Sequence, residues 1–228
     1  MKLILTCEHA SNELPSQYIS LFETHQIRLN THEGYDIGAF EVYKSLQFLA
    51  DYSAHYPWSR LLIEVNRSLS HPNLFSSISS TLSKTEKNRL INDYYQVYRN
   101  QIQQNIDEFI AKGETVLHLS IHSFTPVWNE IDRNAEIGIL YDPSRKVEQD
   151  FAKNFKTELK SIFPNFRIRM NYPYLGKSDG LTTNLRNQFP KQYLGIEIEI
   201  NQKLFEADFD HFDFNEKLCE ILKHYIKS

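Results

Sequence analysis

The segment that most constrains the fold is residues 2–12, KLILTCEHASN. An apolar stretch from Leu3 to about Cys7 runs directly into Glu8, His9, Ser11 and Asn12. This reads as a short strand emptying into a polar turn. A strand keeps its backbone rigid until the loop begins, which is how open α/β sheets position binding groups.

Later segments repeat the pattern. Residues 61–65 end in Asn66 and Arg67, and residues 115–121 end in His122 and Ser123. Residues 166–170 are followed by Asn171 and Tyr174, and residues 194–200 carry Glu197 and Glu199 near their end. Residues 137–141 supply a further strand. Helical spacing lies between them: Phe40, Tyr43 and Leu46 within 35–50, and Leu90, Tyr94, Tyr98, Ile102, Ile106 and Phe109 in a long helix. That helix opens at a capping box, Ser83 and Glu86, and stops at Gly113. Asp142-Pro143 opens a helix with the face Val147, Phe151, Phe155, Leu159 and Ile162. Asp213 with Glu216 caps a closing helix bearing Leu218, Ile221, Leu222 and Tyr225. Residues 68–81 read as an irregular surface loop. The alternation predicts an α/β fold with a mostly parallel or mixed sheet covered on both faces, as one domain over residues 1–228.

Composition narrows the function. A net charge of -4 leaves no basic footprint for nucleic acid. No apolar run approaches the ~20 residues that cross a bilayer. The start shows no secretory signal pattern, and Cys7 and Cys219 do not form a disulfide framework. The expected setting is the cytoplasm, and the expected partner a small molecule; the oligomeric state stays open. Cys7 reads as a small buried hydrophobe.

Strand alternation places Val116, His118, Ser120 and His122 on one face, and Glu197 with Glu199 opposite Ile196, Ile198 and Ile200. Two carboxylates in an apolar strand are costly to bury without a cation or a donor. A divalent metal is one candidate partner, and Arg167, Arg169 or Arg186 are others. Arg67 either serves a site, pairs with Glu64 or closes a loop. His118, deeper in its strand than His122, reads as packed.

Taken in order, CEHASNELP, GYDIGA, IEVNR, HSFTP, NYPYLG with DGLT, and GIEIEINQ resemble the N-formylglutamate amidohydrolase family, over Leu3 to Gln202. The resemblance implies a three-layer α/β/α sandwich of the phosphorylase/hydrolase type, shared with the zinc carboxypeptidase and aspartoacylase clan. It implies a zinc ion, or another divalent transition metal, on His9 and His122. The clan carries a glutamate three residues after its first histidine, where this chain has Asn12. The third ligand is then Asp36 of GYDIGA, with Glu8 in reserve. The same resemblance implies Asn66 and Arg67 as the grip on a substrate carboxylate, and Glu199 as general base with Glu197 as the alternative. Asn12, Asn171, Tyr174 and the 176–180 loop are candidate pocket residues. The implied reaction is hydrolysis of an N-acylated acidic amino acid, N-formyl-L-glutamate to glutamate and formate. A different acyl group, or a catalytically silent carboxylate-binding protein, are the alternatives.

Overall fold

The computed structural model describes residues 1–206 and 210–226. Its strands are β1 (Lys2–Cys7), β2 (Tyr52–His55), β3 (Val116–Phe124), β4 (Val127–Trp128), β5 (Ile131–Asp132), β6 (Ile137–Leu140), β7 (Ile168–Met170) and β8 (Tyr193–Asn201). Its helices are α1 (Gln26–Leu29), α2 (Ala39–Leu46), α3 (Lys84–Leu90), α4 (Gln96–Ala111), α5 (Lys146–Ile162), α6 (Leu181–Gln188) and α7 (His211–Ile226). Six strands form one sheet in the order β2-β1-β3-β8-β6-β7, and β4 with β5 makes a separate hairpin.

The sheet is mixed. β2, β1, β3 and β8 run parallel, whereas β6 pairs antiparallel with β8 and parallel with β7. One face carries Leu3, Leu5, Leu117, Leu119, Ile121, Ile139, Ile196, Ile198 and Ile200, packed with residues of α2, α5 and α7. The other face meets α4 and α6, and its core includes Ile4, Val116, Tyr193, Ile102, Ile106, Leu181 and Leu185. Two helical layers thus enclose the sheet, the expected three-layer α/β/α architecture. Burial of period-two apolar residues supplies the drive, at roughly 25 cal/mol per Å² of apolar surface. Among the described residues, no helix is long and apolar enough to cross a membrane.

Several local expectations change. Residues 61–65 are buried but form turns: the Leu62 amide bonds Ser59 O, and the Glu64 amide bonds Leu74 O. The strand beside β1 is instead Tyr52–His55, a short and mostly half-exposed edge whose pattern lacks a core signal. The helix expected over 35–50 starts only at Ala39, because Gly38 takes a left-handed φ of 82°. α3 and α4 are one helix joined by a π turn at Ile91–Tyr95. That turn inserts an extra residue, so the buried face after Leu90 resumes at Tyr95, not Tyr94, and continues through Tyr98, Ile102 and Ile106. Ser83 caps this helix at the Glu86 amide, while the Glu86 carboxylate goes to Tyr18 and Arg89. In α5, Val147 is exposed and Glu148 is buried instead, bonded by Arg186. The cap of α7 is Asp210, which accepts the Asp213 amide.

Candidate active site

The polar groups on the α4/α6 face of the sheet gather at the ends of β1 and β3. β1 runs into Glu8 and His9, and the next turn is tied back by the Asp36 amide on His9 O at 2.9 Å. That bond brings Asp36, from the turn before α2, beside both histidines. Asp36 Oδ2 lies 3.2 Å from His9 Nδ1 and 2.9 Å from His122 Nδ1. The three side chains are buried, and their potential ligand atoms lie within 4.8 Å of one another.

The other nitrogen of each imidazole faces a second buried carboxylate. His9 Nε2 is 2.7 Å from Glu64 Oε1, and His122 Nε2 is 3.1 Å from Glu8 Oε2 and 2.8 Å from Ser120 Oγ. Glu8 is held further by the hydroxyls of Ser120 and Tyr98. Carboxylates behind imidazoles fix the tautomer and leave the front nitrogen free to ligate, the arrangement typical of metal-bound histidine. Charge argues the same way. Glu8, Asp36 and Glu64 are three buried carboxylates, and Arg60, bonded to Glu64 Oε2 at 2.7 Å and Asp36 Oδ1 at 3.4 Å, is the guanidinium facing them. Two negative charges remain to be balanced, by a divalent cation or by protons on both rings.

The electrostatics follow from that deficit. Burial alone would raise the Glu8 carboxyl, but the hydrogen bond and charge of His122 bring it down to about 2. Burial likewise opposes ionisation of Asp36 and Glu64. The histidines hold Asp36 far below the carboxylate range, and Arg60 and His9 do the same for Glu64. Burial and Arg60 depress His9, yet Glu64 and Asp36 raise it overall. Burial also depresses His122, but hydrogen bonds to Asp36 and Glu8 and their charges raise it well above its ordinary value. The cluster therefore favours positive charge at its centre. Two nitrogens and one carboxylate oxygen with room for water suit zinc or a similar divalent ion.

A cavity of about 540 Å³ opens beside this cluster. Glu199, paired in register with His122 on the adjacent strand, lines it, and among the described residues its buried Oε2 has no hydrogen-bond partner. Burial first, then the charges of Asp36 and Glu197, push its carboxyl up to about 8 despite the opposing His122. Glu197 is committed to Thr182 Oγ1 at 2.5 Å. None of the arginines considered from the sequence reaches the pair: Arg186 serves Glu148, Arg167 serves Glu136, and Arg169 lies over Tyr172.

Arg67 lines the cavity and gives Nη1 to Asp179 O at 2.6 Å; it does not pair with Glu64. Asn66 accepts the Leu181 amide at 2.7 Å on Oδ1 and points Nδ2 toward His122. Tyr174, Ser178, Asp179 and Gly180 also line the cavity. They reach it because the loop after β7 folds back across β6. The backbone passes so close that a Cβ on Gly138 would sit 1.8 Å from Tyr172 O, and one on Gly176 would sit 2.2 Å from the Tyr141 amide nitrogen.

Three expectations are corrected. Asn12 is turned to Asn30, bonding its Oδ1 at 2.8 Å, and does not line the cavity. Asn171, at φ 51°, spends its Oδ1 on the amides of Tyr141 and Gly176; β7 runs opposite to β8, so its end is not on the site's rim. Glu8, the reserve ligand, stands behind His122. Residues that sequence reasoning missed as site groups are Arg60, Glu64 and Arg133. Arg60 stands just before residues 61–65, taken for a strand, and that reading hides its pairing with Glu64 four positions on. Arg133 follows a hairpin with no sequence signal. His118 and Cys7 are buried as expected, His118 between Thr6 and Tyr193 and Cys7 among apolar side chains.

A family model described as N-formylglutamate amidohydrolase matches residues 1–206. The chain belongs to that family. Among solved structures, a gene product of Agrobacterium tumefaciens shares 25% identity at a TM-score of 0.77, over 99% of this chain and 88% of that one. An N-formylglutamate amidohydrolase from Ralstonia eutropha shares 16% identity at a TM-score of 0.76, over 100% of this chain and 93% of that one, and so matches in fold. A search of curated proteins finds no match. An N-formylglutamate amidohydrolase family member is a hydrolase of amides, and the cavity offers the groups such chemistry uses.

Proposed function

We propose that this family member is a divalent-metal-dependent amidohydrolase that cleaves an N-acylated acidic amino acid, with N-formyl-L-glutamate as the substrate and L-glutamate and formate as products. One observation carries the reading: His9 Nδ1, Asp36 Oδ2 and His122 Nδ1 converge, and each imidazole is backed by its own buried carboxylate. These three residues would hold the ion, zinc by the chemistry of the donors. The chemistry such an ion supplies when bound is Lewis-acid polarisation of the scissile carbonyl and acidification of water.

The chain's own residues do the rest. Glu199 presents a buried carboxylate oxygen that no donor among the described residues occupies, so it is open to a proton from the attacking water. Its burial makes it a stronger base than a surface carboxylate, and after the attack it returns the proton to the departing nitrogen. Glu197, held by Thr182, is left out of this role. The Arg67 guanidinium offers a fork of donors matched to a carboxylate, which a lysine would not reproduce. Asn66 fixes the 180–181 turn beside that guanidinium, and Tyr174 lines the same cavity.

The test is a panel of formyl-, acetyl- and succinyl-amino acids, assayed with and without chelator. Turnover of N-formyl-L-glutamate should vanish with chelator and return on adding the metal. Glu199→Gln should lower kcat about 10²- to 10⁴-fold while retaining bound metal. Undiminished turnover in that variant would remove Glu199 as the base, and full activity in chelator would remove the metal.

A further inference from the structure

The cavity contains three arginines, and they differ in what faces them. Arg60 is neutralised by Glu64 and Asp36. Arg67 has no carboxylate within ion-pair distance among the described residues, and neither does Arg133. Outside the cavity, Arg28, Arg89, Arg145, Arg167 and Arg186 each have a carboxylate partner, Arg99 donates its guanidinium to the carbonyls of Val65 and Arg67, and Arg169 lies over the Tyr172 ring. An uncompensated guanidinium lining a cavity is a receptor for an anion that the chain does not itself supply.

Arg133 is also held in place to act as one. Its amide bonds Pro126 O at 2.7 Å, closing the β4–β5 hairpin, and its carbonyl accepts from Asn201 at the end of β8. Its guanidinium carbon lies 5.2 Å from the Trp128 ring centroid, 5.1 Å from Tyr174 and 5.9 Å from Phe124. Rings around a guanidinium fix its plane and shield its faces while the N–H edges stay available. Nη1 donates to Thr125 Oγ1 at 3.2 Å, which still leaves donors on the fork. Trp128 in turn meets His32 at 5.7 Å between ring centroids, so the hairpin spans the cavity mouth to the turn beyond α1.

We propose that Arg133 is a second carboxylate receptor, so that Arg67 and Arg133 together select an N-acyl amino acid bearing two carboxylates over one with a neutral side chain. This rests on the amidohydrolase reading and adds the residue that sets its substrate class. An N-acylated glutamate or aspartate places one carboxylate on its α-carbon and another on its side chain. Arg67 takes one of them and Arg133 the other. A neutral amide in place of the side-chain carboxylate forfeits a charge-assisted bond.

The experiment compares kcat/KM for N-formyl-L-glutamate and N-formyl-L-glutamine in the wild type, Arg133→Gln and Arg133→Lys. The wild type should prefer the diacid. Arg133→Gln should reduce that preference ratio about 10- to 100-fold, the effect of one hydrogen bond to a charged group. Arg133→Lys keeps an aliphatic stem and a charge, should lose less, and carries the test if the glutamine variant does not fold. A ratio unchanged in both variants overturns the proposal, whether the two rates fall together, as for a purely structural residue, or stay put. Should the wild type cleave no N-acyl amino acid, the amidohydrolase reading fails by itself. Arg133 is then judged by titrating glutarate and butyrate into zinc-loaded protein. Glutarate binding weakened tenfold or more in Arg133→Gln, with butyrate unaffected, supports the receptor, and equal changes for both acids overturn it.

Discussion

Replacing Glu64 with glutamine removes a charge with little change of shape, and it isolates what stands behind His9. Glu64 Oε1 is 2.7 Å from His9 Nε2 and also accepts the Asn66 amide at 2.9 Å; Oε2 takes Arg60. An amide oxygen in the Oε1 position preserves geometry but loses the charge that makes the imidazole a better donor of its front lone pair. A hydrogen bond to a charged group contributes about 1.5–3 kcal/mol net. At 1.4 kcal/mol per tenfold, this corresponds to roughly 10- to 100-fold in metal affinity, the range generally found when a group behind a ligating histidine is changed. The Kd for zinc, measured by competition with a chromophoric chelator at fixed pH, should rise by that factor, and saturating zinc should restore activity. An unchanged Kd in a variant that melts cooperatively would show that Glu64 serves Arg60 alone, and the reasoning from paired carboxylates would fall with it.

Two further outcomes follow from the packing. Burial holds His118 near a pKa of 4, below its ordinary value of 6.5, so at neutral pH it is uncharged folded and unfolded alike. As pH falls below 6.5 the unfolded chain takes up a proton that the folded chain refuses, and roughly 2–3 kcal/mol of stability is lost by about pH 4.5. Urea denaturation at pH 7 and 4.5 should show this loss, and His118→Gln should show less of it; an identical acid loss in the variant would discount the histidine. Gly138→Ala would press a Cβ to 1.8 Å from Tyr172 O and 3.2 Å from the Glu199 side chain. The loop bearing Tyr174 must then shift, so stability should fall by about 1–3 kcal/mol or more, and kcat/KM with it. A variant matching the wild type in both would show that the loop yields freely.

The sequence made some of this legible for reasons that can be named. Period-two alternation in β3 and β8 groups His118, Ser120 and His122, and groups Glu197 with Glu199; the register sets both groups on the same face of the sheet, and buried strands preserve such phase. The meeting of His9, Asp36 and His122 was legible only through the resemblance, because nothing local says that the turn before α2 bonds back to β1. The reversal of β6 and β7 left no trace in strand patterns, which are alike in either direction. Asn171 was misplaced for that reason. Residues 61–65 misled because an apolar run signals burial, not extension, and here its amides find turn partners. Arg133 belongs to a hairpin whose exposed residues follow no core periodicity, so only coordinates bring it to the cavity.

The π turn at Ile91–Tyr95 has a reach beyond its own helix. Tyr95 at its end and Arg99 just past it hold the carbonyl of Arg67, Arg99 also holds that of Val65, and Tyr98 touches Glu8. Winding that turn into uniform α geometry with every residue retained would spin everything downstream by about 100°. The three anchors would then face away, and the backbone between Glu64 and Arg67 would lose its moorings. By absorbing one surplus residue, the wide turn thus keeps the Val65–Arg67 backbone and the Glu8 carboxylate in common alignment.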